Sequence, residues 1–200
     1  MRKLLPIYLI LFSCVFSEQI NHGSVKVNRF NDVWKQFTDV ENNFKYDQSE
    51  DLIYMYTYNY TTTAHLLNKE HREILISIVD KYLEWNEKAI SKEVTLEKNI
   101  EIDLIVRGVF KVGSDWHWSC ERPSNSIIAK FFSQNTERHQ LVLSFGKIQS
   151  CSNEYMYHKP DQLYIDYEEA LIIKQLLTQD SIDKTIQEFE KQKSIEDDFK

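Results

Sequence analysis

The spacing of apolar residues changes along the chain, and the changes mark the expected elements. Over residues 29–45 apolar side chains recur at helical spacing, which predicts an amphipathic helix. Over residues 52–62 tyrosines alternate with other residues, which predicts a strand. Asn68 can cap a long helix that ends near Ile90, because an apolar stripe returns every three or four residues there.

Strands dominate the second half of the chain until two helices end it. The alternating segments are 100–112, 127–132, 141–148 and 163–165, with a hairpin turn at 135–138. Asp166 begins a helix that extends to about Thr178, and a last helix covers about 181–193. Because strands and helices are segregated, we expect an α+β fold. Its antiparallel sheet of four to five strands would be packed by an N-terminal helix, one long central helix and a C-terminal helix pair.

The first residues have the pattern of a secretory signal peptide. The cations Arg2 and Lys3 precede an apolar run over 4–12, which is shorter than the roughly 20 residues that a membrane-spanning helix needs. Leu11-Phe12-Ser13-Cys14 resembles the bacterial lipobox, in which the cysteine is lipidated and becomes the first mature residue. Phe12 departs from the small or aliphatic residue usual in that motif. Ordinary cleavage after Ser17 is the alternative.

The remainder is expected to form one domain between two polar ends. A signal peptide over 1–13 (or 1–17) would be followed by a flexible tether over 14–27. A single α+β domain would cover 28–193, and an acidic tail 194–200. A chain of 200 residues is long enough for one hydrophobic core and too short to favour two domains.

Three cysteines indicate the redox state of the mature protein. Cys14 is either lipidated or lost with the signal peptide, which leaves Cys120 and Cys151 as an even pair. In an oxidising compartment such a pair predicts a disulfide. A zinc site that adds His117 and His158 to the two cysteines is the alternative. We expect the disulfide, with no metal and no cofactor.

Charge and motifs restrict the classes of function. The formal net charge of −7 argues against a nucleic-acid partner and against binding anionic lipid by charge. The chain contains no Gly-x-Ser-x-Gly elbow, no P-loop, no dinucleotide fingerprint and no His-Glu-x-x-His motif. We therefore assign no catalytic residue, and the sequence favours a protein that is not an enzyme without deciding the point.

Two aromatic segments supply the candidate binding residues. They are the tyrosine ladder Tyr54, Tyr56, Tyr58 and Tyr60 and the pair Trp116 and Trp118. Tyrosine and tryptophan dominate binding hot spots, so an exposed aromatic strip would suit a protein or a glycan. A half-buried sheet face under a helix is the alternative for the ladder. Two tryptophans separated by one residue cannot both be core in an extended loop, which leaves one for a ligand.

These observations favour a small exported, lipid-anchored protein that binds a protein or ligand in the bacterial periplasm or at the cell surface. An inhibitor or immunity-type protein is one form of such a binder. It would meet the membrane only through its N-terminal lipid. One alternative is a small exported hydrolase with its site near residues 116–120, and another is a structural component of the envelope. Soluble secretion is the alternative to anchoring.

Overall fold

The structure is a computed structural model, and it describes residues 19–31, 34–58, 62–120 and 122–199. The strands of the described part are β1 (Gln19–Asn31), β2 (Gln36–Asp47), β3 (Leu52–Tyr58), β4 (Thr62–Leu67), β5 (Glu97–Ile105), β6 (Arg107–Val112), β7 (Asp115–Trp118), β8 (Ser126–Ser133), β9 (His139–Phe145), β10 (Ile148–Gln149), β11 (Tyr157–His158) and β12 (Gln162–Ile165). The helices are α1 (Lys69–Ser91), α2 (Tyr167–Leu176) and α3 (Gln179–Asp197).

Ten of these strands form one antiparallel sheet in the order β5-β8-β9-β12-β1-β2-β3-β4-β6-β7, and β10 and β11 pair with each other. The mixture of helices and antiparallel strands agrees with the α+β class. The expected sheet of four to five strands is wrong, and so is the expected N-terminal helix. The residues assigned to a tether and to that helix form β1 and β2 at the centre of the sheet. The count is also larger because 100–112 contains two strands and because β4 and β7 were not predicted.

Those two strands, β1 and β2, make a long hairpin. They pair from Gln19 opposite Asp47 to Asn31 opposite Gln36, with one bulge near Gly23. The expected tether over 14–27 is therefore wrong for 19–27, while 14–18 lie outside the described residues. Its apolar members Ile20, Val25 and Val27 are buried in the core. A strand between two paired neighbours needs only a few apolar side chains on one face, so a largely polar sequence suffices.

The helical period over 29–45 has a second explanation. Phe30 lies on β1 opposite Phe37, whereas Val40 and Phe44 lie on the other face, four residues apart on β2. A spacing of four fits one side of a strand as readily as one side of a helix. Pairing with β12 and β3 on either side decides between the two periods. The sequence alone did not show these partners.

The sheet curls until its two ends meet. Only Val106 separates β5, the first strand in the order, from β6, the ninth. The segment 100–112, expected as one strand, is therefore two strands at opposite ends of the sheet. β10 packs against β6 at Gly108, where an added Cβ would lie 3.1 Å from Ile148 Cδ1. Glycine at this position allows the close approach of the two strands.

The three helices cover one face of the sheet, which we call the inner face. α1 begins where the sequence predicted, and the Asn68 side chain accepts a hydrogen bond from the backbone N–H of His71 at 2.9 Å. Asp166 precedes α2 as expected, but its carboxylate binds Arg138 and not the helix N–H groups. α3 continues to Asp197, so the expected tail is helical over most of its length.

The inner face holds the main hydrophobic core. From the helices it takes Leu75, Ile78, Val79, Tyr82, Ala89, Ala170, Ile173, Leu177 and Ile182. From the strands β2 and β3 it takes Phe44, Ile53 and Met55, which are almost wholly buried. None of the helices in the described part of the chain is both long and apolar enough to cross a membrane.

Candidate ligand-binding groove

The opposite face of the sheet, the outer face, carries a second and smaller apolar cluster. It consists of Leu52, Tyr54, Tyr56, Ala64, Leu66 and Val109, from strands β3, β4 and β6. Strand register explains the arrangement: Tyr56 lies opposite Ala64, Ala64 opposite Val109, and Val109 opposite Trp118. Because successive residues of a strand point to opposite faces, the tyrosines of β3 and the tryptophans of β7 share the outer face.

A groove of about 460 Å³ opens over this cluster. Its walls are formed by Gln19, Lys45, Tyr54, Tyr56, Val109, Trp116 and Trp118, and we call it the aromatic groove. It brings together members of both aromatic segments that the sequence singled out. The volume falls within the range of about 300–1,000 Å³ that is usual for small-molecule sites.

The two pairs of aromatic residues differ in exposure. Tyr54 and Tyr56 are only 4% and 7% exposed, and their rings stack with centroids 6.2 Å apart. Trp116 and Trp118 are 43% and 50% exposed. The tyrosines therefore form a buried floor of the groove, whereas each indole ring has solvent-exposed surface that a ligand can contact. Tyr60 and the side chain of Tyr58 lie outside the described residues.

Three polar side chains at the groove have defined contacts or a defined protonation state. The Tyr56 hydroxyl donates a hydrogen bond to Gln19 Oε1 at 2.9 Å. Burial raises the pKa of Tyr54 to about 12, and the negative charges of Asp47 and Glu50 add to the effect. The Tyr54 phenol is therefore protonated at neutral pH and able to donate a hydrogen bond. Lys45 Nζ lies 5.6 Å from the centre of the Tyr56 ring, within the range of a cation–π contact.

The end of the sheet that carries the tryptophans is braced by a disulfide. Cys120 and Cys151 are bonded with Cα atoms 5.5 Å apart, which confirms the predicted pairing. The backbone N–H of Cys151 donates to the Trp118 carbonyl at 2.9 Å. Asn125 Nδ2 donates to Ser119 Oγ at 2.8 Å, next to Trp118. These contacts fix the short strand β7, which is an edge strand and has only four residues.

The same geometry bears on the zinc and hydrolase alternatives. Both cysteine sulfurs are bonded to each other, so neither is a thiolate that could bind zinc or act as a nucleophile. Among the described residues no group of three or more His, Cys, Asp or Glu is placed to hold a metal ion. His117 lies between the two tryptophans in sequence but stacks on Phe110, on the inner side of the sheet.

Three residues of the groove were not predicted from the sequence. Gln19 was assigned to the tether and Lys45 to a polar break, and Val109 was one residue in a long alternating run. Each joins the groove through pairing with a strand that is distant in sequence. Alternation in 107–112 could have placed Val109 on a sheet face, but nothing in the sequence indicates which strands are neighbours.

Comparisons of the chain with protein-family models, with curated proteins and with solved structures found no match.

Proposed function

We propose that the chain is an exported, lipid-anchored binding protein and that its ligand occupies the aromatic groove. One observation carries the proposal: two half-exposed tryptophans from β7 stand beside two buried tyrosines from β3 on a braced sheet. Aromatic side chains lose little conformational entropy when a ligand covers them, because a paired strand already fixes their backbone. Large apolar surface held in place and left uncovered is typical of binding sites.

Matched tryptophan variants test the proposed site. The purified full chain is screened against immobilised oligosaccharides and peptides, together with Trp118→Ala and Trp34→Ala. Trp34 is the control because it is 66% exposed and lies in the turn between β1 and β2, eleven residues before Lys45 and at the other end of β2. We expect a ligand that binds the wild type and the Trp34 variant but not the Trp118 variant. Equal binding by all three would reject the groove.

Lipid anchoring is the second part of the proposal, and it rests on the lipobox-like residues 11–14. Gln19 is five positions after Cys14, and five residues span at most about 18 Å when fully extended. A lipid on Cys14 would thus hold the groove, which includes Gln19, close to a membrane surface. The ligand would then be a molecule of the envelope or one captured at the cell surface.

Metabolic labelling tests the anchor. Cells that express the chain are given a fatty-acid analogue, and the purified protein is examined for the label. We expect incorporation in the wild type and none in Cys14→Ser, which should also be released to the soluble fraction or left unprocessed. A label that persists in Cys14→Ser, or no label in either protein, would reject lipidation at this residue.

A further inference from the structure

We propose that the ligand of the aromatic groove is an acidic saccharide. Its sugar rings would pack on Trp116 and Trp118, and its carboxylate or sulfate would be held by Lys45, Arg107 and Lys111. The inference rests on the proposed function and adds the chemical class of the ligand.

Strand register places three cations on the outer face with the aromatic residues. Lys45 lies opposite Tyr54, Tyr54 opposite Leu66, and Leu66 opposite Arg107, in one row across four strands. Lys111 lies opposite Trp116, and its Nζ is 5.9 Å from the centre of the indole ring. Cations therefore flank the groove on both sides of its aromatic wall.

None of these three cations has a carboxylate of the described residues within ion-pair distance. Six lysines elsewhere do have such partners, as in the pair of Lys26 with Asp39 at 2.9 Å. The chain as a whole is acidic, with a net charge of −7. The charges of Asp47 and Glu50 also act on Tyr54, but neither carboxylate is ion-paired with these three cations. Three cations without ion pairs at an aromatic groove thus favour an anion, and a bound carboxylate would be their partner.

The arrangement of the indoles favours a saccharide over a protein. Trp116 and Trp118 are two residues apart on one strand, so their Cα atoms are about 7 Å apart and two successive sugar rings can each meet one. The C–H faces of a sugar pack against the negative face of an aromatic ring. A groove of about 460 Å³ suits a ligand of that size, whereas a stable protein partner covers about 800 Å² on each side.

Hydroxyl groups of a saccharide also find donors. Gln19 accepts from Tyr56 through Oε1, which leaves the two N–H groups of its amide with no partner among the described residues. The Tyr54 hydroxyl likewise makes no hydrogen bond within the described part of the chain, although its ring is buried. These groups, with the three cations, provide mostly donors, which is what carboxylates and sugar oxygens require.

Uronic-acid oligosaccharides and their methyl esters give a matched test. Tetramers of galacturonic, mannuronic and glucuronic acid units are titrated into the full chain by calorimetry, each beside its neutral methyl ester. We expect at least one acid to bind about tenfold more tightly than its ester, because only the acid can form charge-assisted hydrogen bonds with the three cations. Arg107→Gln and Lys111→Gln should remove that preference, and Lys26→Gln should keep it.

The outcomes separate this inference from the proposed function. If acid and ester bind with equal affinity and Trp118→Ala abolishes the binding, the groove binds saccharides but has no preference for acidic ones. That result would overturn the inference of an acidic ligand. Binding of a peptide and of no saccharide, again lost in Trp118→Ala, would overturn the saccharide and keep the binding function. If nothing in either panel binds in a way that depends on Trp118, both proposals fail.

Discussion

The two faces of strand β3 differ in how they are covered. Ile53 and Met55 on the inner face pack into the main core beneath the helices. Tyr54 and Tyr56 on the outer face are nearly as buried, yet their neighbours in the small cluster all come from the sheet. The inner face is closed by helices, whereas the outer face is closed by aromatic rings that a ligand can also contact. One strand thus serves stability on one side and the proposed binding site on the other.

The largest expected effect comes from removing β1, because this strand contributes to both faces. Deleting Gln19–Val25 takes Ile20 and Val25 from the core and Gln19 from the groove. It also removes six of the twelve residue pairs that join β1 to β2. We expect the variant to lose cooperative thermal unfolding, measured by circular dichroism. A melting temperature within a few degrees of the wild type would show that the segment is dispensable.

The disulfide is next in size, since it fixes the strand that carries the tryptophans. Replacing Cys120 and Cys151 by serine should lower the free energy of unfolding by about 2–5 kcal/mol, because the unfolded chain loses a closed loop. Denaturant titration of the double variant beside the wild type measures the loss. We also expect weaker ligand binding, because the bond holds residue 151, whose backbone N–H donates to the Trp118 carbonyl, beside β7. A change below about 0.5 kcal/mol would contradict this account.

The inner face should respond to acid through His65. This residue of β4 is fully buried, its ring stacks on Phe145 with centroids 4.5 Å apart, and neither ring nitrogen has a partner among the described residues. Burial lowers the pKa of His65 to about 3, and the nearby His158 adds to the effect. The folded state thus binds fewer protons than the unfolded state below pH 6.5, so stability is complete above that pH and falls as the pH approaches 3.

The slope of that loss is the measurable quantity. We expect about 1.4 kcal/mol of unfolding free energy per pH unit from His65 between pH 6 and pH 4. His65→Phe keeps the stacking on Phe145 and should make the slope smaller by that amount. A residual slope should remain, because burial also lowers the pKa of His22 and of His158. Identical slopes in the variant and the wild type would contradict a neutral buried His65.

How far the sequence predicted this molecule depended on whether a signal was local. The cap at Asn68 and the cysteine pair are such signals, and the structure confirms both. The strand of alternating tyrosines, predicted over 52–62, is found over Leu52–Tyr58, and Thr62 already belongs to β4. The hairpin over 19–47 was missed because its period fits a helix equally well and its stability comes from strands elsewhere. The order of ten strands depends on pairing between distant segments, which one sequence does not reveal.

For the candidate site, too, residues with a local signal in the sequence were predicted and residues that depend on strand pairing were not. Both tryptophans and Tyr54 and Tyr56 were found from composition and spacing, since bulky aromatic residues are conspicuous in a sequence. Gln19 and Lys45 were not, because their role depends on β1 and β2 lying beside β3. Even for the tyrosines, alternation established that they share a face but not that helices would cover the other one.

The smallest expected effect separates the two tyrosines of the outer face. Tyr56→Phe removes the hydrogen bond to Gln19 and should lower the free energy of unfolding by about 0.5–1.5 kcal/mol. Tyr54→Phe is the matched control, since the Tyr54 hydroxyl has no partner in the described part of the chain and its loss should change stability by less than about 0.5 kcal/mol.

Ligand affinity should also fall in Tyr54→Phe, because the lost hydroxyl faces the groove. Denaturant titration and calorimetry of both variants check the pair. An unchanged affinity in Tyr54→Phe would mean that this hydroxyl does not meet the ligand, and equal losses of stability would remove the distinction between the two residues.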